Sequence, residues 1–480
     1  MAKHLKRLFI GLISLIFLAV IIAYFMLRAS MPQLSGEHTL QGLSNNTRIE
    51  RDANGTVTIQ AQTEADTMRA LGFVHAQERY FEMDLLRRSA SGELSALFGE
   101  IAIEKDKSIR IHRLRARVQQ QFSEMAGADE KNLIAYTEGV NAGLTSLKAK
   151  PWPYLLLNTQ PEAWKPEDSF LVGFAMFFDL QDEDNEREYK LWQLKSVLPA
   201  PIYTMLTQSQ SAWDAPLFGT PKLAVTVPSA DQINLNKFVA PQLAFQPNAL
   251  AEAVGSNNFA VAGALTADGR AIVADDMHLG LRAPNIWFRA RLLTGTDSDV
   301  SGFSLPGIPS IIVGSNRHVA WGFTNSYGDW ADFVRVQWLD NAQSKYVDSS
   351  GTEQTVKVFN EQIQVKGQKP VQLTVRETVW GPITKTINSS FALALQWTAQ
   401  QPGALNMGLN ELAKSQNLDQ ALLLAQRIGM PGQNLVIGDK NGRIAWRLTA
   451  QMPNRVGGCD KTAPVDPKAG CTWQGWLPGN

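Results

Sequence analysis

Gly-Ser-Asn occurs twice in this chain, at 255–257 within AVGSNNFAVAG and at 314–316 within VGSNRHVAWGFTN, and a third serine, Ser304, sits in GFSLPG. A serine hydroxyl becomes a useful nucleophile only beside a base that takes its proton. Glycine and serine are also default turn residues, so each pair is weighed against a plain turn. Ser304 falls short of a nucleophile elbow, because Pro306 stands where that motif needs its second glycine. Ser315 lies between two strand patterns, and a chain break before it would cut a hairpin. Ser256 opens a strand directly after a proline-punctuated stretch. A peptide bond broken there would free a serine at a strand end without tearing the fold.

The surrounding pattern explains why that position is special. TRIERDANGTVTIQAQ (47–62) reads as two alternating strands around Asn54-Gly55. Thr63 and Asp66 open a capping box, and Met68, Leu71, Val74, Phe81 and Leu85 recur at helical spacing. Helical pattern continues to about residue 210 and holds His75 and His112, read as structural. Pro216, Pro221, Pro228, Pro241 and Pro247 then interrupt all periodicity. From Ser256 the chain turns β-rich, with hairpins at Asp268-Gly269 and Asn441-Gly442 and a helix expected over 409–427. Helices first and a mostly antiparallel sheet second make an α+β chain. The expected divisions are a terminal segment 1–30, a helical region 31–214, a spacer 215–255 and a β-rich region 256–480.

Composition narrows the function classes. Forty-five basic and 45 acidic side chains cancel, so no global field draws in nucleic acid. The six histidines and two cysteines are too dispersed for a zinc cluster. Lys3, Lys6 and Arg7 precede an apolar or small run from Leu8 to Leu27, long enough as a helix to cross a bilayer. Basic residues at its front keep that end cytoplasmic and send the rest outward. An uncleaved anchor is the expectation, with a cleaved signal peptide as the rival. Outside the cytoplasm, Cys459 and Cys471 can pair across a short loop.

Five segments occur in order: ALGFVHAQERYFEMDLLRRSASGELSALFG, GSNNFAVAG, DDMHLGLRAPNIWFRARL, GFSLPGIPSIIVGSNRHVAWGFTNSYGDWADF and PGQNLVIGDKNGRIAW. Over nearly all of 46–480 the chain resembles the penicillin acylase family of N-terminal-nucleophile hydrolases. The resemblance implies an αββα sandwich and a precursor that cuts itself between Gly255 and Ser256, leaving α and β fragments that stay associated. It implies hydrolysis of small acyl amides: linear amides, β-lactam side chains or acyl-homoserine lactones. Freed Ser256 would supply both Oγ and, through its α-amine, the base; such an amine titrates near about 7.7–8.0. Glycine at 255 would permit the close approach that the first cut needs.

Further roles follow from the same resemblance. His278 would hydrogen-bond the nucleophile or substrate region, and the Asn325 N–H would contribute to the oxyanion hole. Phe178, Leu279, Val313 and Phe323 would line the acyl pocket. Asp329, the Ala331 carbonyl and Asp332, with Glu188 or its neighbour Glu186, would hold a structural calcium. His318 matches no family catalytic position and is expected to be structural. The family's second oxyanion donor is an asparagine on strands beyond the WQGWLP motif. This sequence ends at GWLPGN, and Asn480 does not sit in that motif. A chain truncated relative to the family is therefore expected, and with it the alternative of a noncatalytic, membrane-anchored remnant.

Overall fold

The computed structural model describes residues 2–208, 219–220, 226–234 and 255–477. Most of the expected spacer, and Asn480, lie outside them. Helix α1 (Ala2–Ala29) is exposed along its apolar length. Among the described residues it is the one helix long and apolar enough to cross a membrane, which suits a signal anchor or a signal peptide.

Helix α2 (Glu64–Ser91) starts as the sequence suggests, with the Thr63 side chain accepting from the Asp66 N–H at 3.1 Å. The reciprocal half of the box is different. The Asp66 carboxylate accepts from the Ser44 N–H at 3.0 Å and its hydroxyl at 2.5 Å, tying the preceding segment down instead. Against α2 packs α3 (Glu130–Ser146), so closely that a Cβ at Gly139 would collide with the Arg69 carbonyl. Only glycine permits that crossing. Helices α4 (Pro166–Leu180) and α5 (Glu186–Val197) complete the part of the helical region that concerns the site.

The main sheet has eight strands: β1 (Arg48–Arg51), β2 (Val57–Ala61), β5 (Phe288–Thr294), β6 (Ser298–Ser304), β7 (Ile311–Ser315), β8 (Val319–Asn325), β12 (Gln433–Asp439) and β13 (Ile444–Thr449), in that spatial order. The β2–β5 pair is parallel and every other pair antiparallel. Between β2 and β5 in sequence lies the ribbon β3 (Asn257–Val261) and β4 (Ile272–Asp276). The helices pack on the main sheet and the ribbon packs on β8 and β12. A smaller sheet joins β9 (Ala331–Gln337) to β10 (Ile383–Thr386) and β11 (Phe391–Trp397); a last ribbon is β14 (Pro453–Val456) with β15 (Thr472–Trp476). The α+β class and its order, helices before sheet, are as expected.

Two apolar cores hold these layers. One lies between α2, α3 and the main sheet, around Leu71, Tyr136, Trp321 and Leu435. The other joins α4 to β9 and β11 through Phe174, Phe177, Phe333 and Trp397. One element differs from expectation: the helix expected over 409–427 is two short helices, α6 (Gly408–Leu412) and α7 (Leu418–Ala425). Asn417 breaks them by capping α7, its side chain accepting from the Gln420 N–H at 3.0 Å. Cys459 and Cys471 form a disulfide.

Candidate active site

Ser256 stands immediately before β3, preceded by an exposed Gly255. The space where a Gly255 Cβ would project is open, so packing does not demand glycine there. The Ser256 Oγ accepts a hydrogen bond from the His278 backbone N–H at 3.1 Å. The imidazole is not what touches it: His278 Nε2 lies 2.8 Å from Asp276 Oδ2, and the ring is 45% exposed. The physical reason is position: His278 follows the end of β4, where its main chain passes Ser256 while its side chain turns to solvent.

The β3–β4 ribbon is held in place by side chains reaching across to the main sheet. Asn258 Nδ2 donates to the Asn434 carbonyl at 3.0 Å, and the Phe323 N–H donates to Asp275 Oδ2 at 3.2 Å. Burial pushes the Asp275 carboxyl up to about 6, against the lowering effect of the Phe323 N–H, and its Oδ1 is buried without a partner. Asp275 and Asn434 were not singled out by sequence. The doubled acid in ADDM, just before His278, is the one local trace of this carboxylate, and it says nothing of the partner across the fold.

Ser256 opens onto an apolar cavity of about 130 Å³. Asn325, at the end of β8, lines it too; its Nδ2 donates to the Leu180 carbonyl at 2.9 Å, its carbonyl accepts from Asn434 at 3.1 Å, and its Oδ1 is buried and unpaired. Among the described residues, no charged side chain lines the cavity. Leu279 and Phe323 are among its walls, but Phe178 and Val313 are not. Helix α4 presents Gly173, Met176 and Leu180 to the cavity, a single helical face. Phe178 projects from another face and packs against His112 and Trp397. On β7, alternation sends Ile312 to the cavity and buries Val313 in the core.

The other serines are accounted for. Ser315 Oγ donates to the Val319 carbonyl at 3.0 Å and accepts from the Arg317 N–H at 3.2 Å, closing the β7–β8 turn. Ser304 is fully buried beside His75, whose Nε2 lies 3.0 Å from its Oγ and whose Nδ1 lies 2.8 Å from the Tyr136 hydroxyl. Burial pushes His75 down to about 3, so it is neutral; that serine–histidine pair is sealed inside the core. His112 is buried in the same way, and His318 meets Lys440 at 3.0 Å on the surface.

The acidic group lies beside this site. Glu188 is buried, accepts from Asn185 Nδ2 at 2.7 Å, and is pushed up to about 8 by burial, with Asp332 and Asp329 adding to the rise. Arg455 pairs with Asp332 at 2.8 Å and Asp329 at 3.2 Å. Asp329 Oδ2 is buried with no partner, and the oxygen donors suit a hard cation. Among the described residues, however, no three acidic or imidazole side chains already stand at ligating spacing. The donor chemistry fits a cation, and the carboxylates must close on it to bind. Glu186 is engaged elsewhere, 2.6 Å from Lys385.

Residues 46–480 match the family model described as penicillin amidase. The chain belongs to that family. It is 28% identical over 467 residues to the acyl-homoserine lactone acylase QuiP of Pseudomonas aeruginosa, covering 89% of this chain and 52% of that protein. It is 31% identical over 474 residues to the penicillin acylase 2 proenzyme of Pseudomonas sp. (strain SE83), covering 94% and 58%. It is 24% identical over 486 residues to the penicillin G acylase of Escherichia coli, covering 91% and 57%. This penicillin amidase family chain thus spans little more than half the length of these relatives.

Proposed function

We propose that Ser256 is the nucleophile of an amide hydrolase, released as a new N-terminus by cleavage at the Gly255–Ser256 bond. The observation that carries this reading is the placement of its Oγ at the mouth of an uncharged apolar cavity, against a backbone N–H. The exposure of Gly255 leaves the bond to be cut accessible. In the first step, Oγ attacks the Gly255 carbonyl carbon, the Gly255–Ser256 amide bond becomes an ester, and water hydrolyses it. The freed α-amine then takes the Oγ proton through a water as Oγ attacks a substrate amide carbonyl. The amine leaves with a proton, and water releases the acid from the acyl-enzyme.

His278 acts through its backbone N–H, which orients Oγ, and Asn325 supplies a donor toward the developing oxyanion. The acyl group occupies the apolar cavity. The substrate class is small acyl amides, including β-lactam side chains and N-acyl-homoserine lactones, in line with the names of the relatives. Calcium held by Glu188, Asp329, the Ala331 carbonyl and Asp332 would tie α5 to β9 and stabilise the two fragments as one body. Anchoring by α1 would place that body on the outer face of a cytoplasmic membrane.

A second reading is a noncatalytic, membrane-anchored protein of this fold, in line with the His278 ring facing Asp276 and solvent and not Ser256. One experiment separates them: hydrolysis of a chromogenic acyl amide by the full chain. Turnover that Ser256→Ala abolishes and Ser315→Ala leaves intact supports the amidase. Absence of turnover in a chain cut at 255/256 supports the noncatalytic reading.

A further inference from the structure

The apolar cavity beside Ser256 has a wall that it shares with a second space. Met176 of α4 and Leu279 border both the 130 Å³ cavity and an adjoining cleft of about 390 Å³ that also carries Lys105, Asp179 and Arg282. Among the described residues the inner space has no charged side chain in its walls, whereas the outer one combines Lys105, Asp179 and Arg282 with apolar walls that include Leu86, Leu281 and Ile286. Leu279 is next to the residue that contacts the nucleophile, whereas Met176 is on a helix facing it. Met176 is therefore the side chain that ends the inner cavity on the helical side.

Resting on the amidase reading, we infer that this chain selects acyl groups of about six carbons, straight-chain or a single ring, and that Met176 sets this limit. An apolar protein cavity of about 150 Å³ holds one benzene, so 130 Å³ takes a group of about that size. The lining explains how both shapes are accepted. Met176, Met277, Met407 and Met430 supply four unbranched thioethers that repack around different outlines at low cost. Two of the polar wall groups are already engaged: Asn406 Oδ1 accepts from the Gly408 and Gly429 N–H groups, and Ser310 Oγ donates to Asn410. A longer chain meets Met176 and gains no further apolar burial unless that side chain gives way to the cleft behind it. Met176 is thus a specificity-determining residue, with no part in the bond-making steps.

The test is a binding series that needs no turnover. Straight-chain carboxylates from butanoate to dodecanoate, products of the proposed reaction, are titrated calorimetrically into the full chain in lipid nanodiscs, with empty nanodiscs subtracted. The Ser256→Ala chain is used in parallel. Affinity is expected to rise about four-fold per methylene while the chain enters the cavity, then to level off at about six carbons. Met176→Ala should move that plateau to about nine carbons or beyond, since it removes three heavy atoms and joins the two spaces. Met176→Leu, close in volume, should keep the wild-type plateau and shows that the helix still folds around a substitution there. Affinity climbing undiminished through dodecanoate in the wild type overturns the size limit. A plateau unmoved by Met176→Ala, with Met176→Leu folded, overturns the role of Met176. A six-carbon plateau in a wild-type chain without amide turnover, or with turnover that persists in Ser256→Ala, would sink the amidase reading alone.

Discussion

His75 offers a stability prediction that can be worked through from its surroundings. The ring is completely buried between Tyr136 and Ser304, and burial pushes its pKa down to about 3 from an ordinary value of 6.5, with Arg79 contributing in the same direction. The unfolded chain therefore takes up a proton as pH falls through 6.5, while the folded chain does so only near 3. Stability from this residue is fully present above 6.5 and is lost on going down from there. At about pH 5 the loss is roughly 2 kcal/mol, one and a half units at about 1.4 kcal/mol each.

Other groups work against it in the raw curve. Glu188, pushed up to about 8, and Asp275, pushed up to about 6, bind protons more readily folded than unfolded, so they favour folding as pH falls. The assay is therefore a difference: denaturant titrations of the wild type and of His75→Gln at about pH 7.5 and about pH 5. Whatever the substitution costs at the higher pH, the gap should shrink by about 2 kcal/mol at the lower one. An equal gap at both would refute a neutral, sealed histidine and reopen the Ser304–His75 pair as something solvent reaches.

Three further outcomes are expected. Chelator should lower the melting temperature of the full chain, and Asp332→Asn should abolish that response; a chelator-insensitive melt would mean that Arg455 alone balances the acidic group. Asp84→Ala should cost about 3–5 kcal/mol by denaturant titration, since fully buried Asp84 pairs with Arg87 at 2.7 Å and Arg88 at 2.8 Å and accepts from Tyr154; a loss under about 1 kcal/mol would show the network relaxing around the gap. Asp275→Asn should stabilise the fold by about 1–2 kcal/mol near neutral pH and by roughly half as much at about pH 5, read as the shift in melting temperature at each; stabilisation independent of pH would contradict the raised carboxyl.

The sequence showed what depends on local chemistry. Asn54-Gly55, Asp268-Gly269 and Asn441-Gly442 all sit at hairpin turns, with each glycine at positive φ. The change from helical to strand periodicity at Ser256 is where the ribbon begins. Contacts made across the fold were less readable. Phe178 and Val313 are assigned by position alone, and half a helical turn or one strand residue separates them from Met176 and Ile312, which line the cavity beside Ser256. Asp275 was invisible as a site residue because its significance comes from Phe323, 48 positions away. The break between α6 and α7 is marked in the sequence by Asn417, a good capping residue, and by the step from Leu412 to Leu418, which would put the two apolar stripes on different faces of one continuous helix.

Self-cleavage before Ser256 is the step on which the proposed nucleophile and its α-amine base both depend. The direct measurement is the N-terminal sequence and intact mass of the purified full-length protein, wild type beside Ser256→Ala and Ser315→Ala. The account predicts a new N-terminus beginning Ser-Asn-Asn in the wild type and in Ser315→Ala, and a single uncut chain in Ser256→Ala. Cleavage at another bond, or a cut at 255/256 that persists in Ser256→Ala, would contradict it.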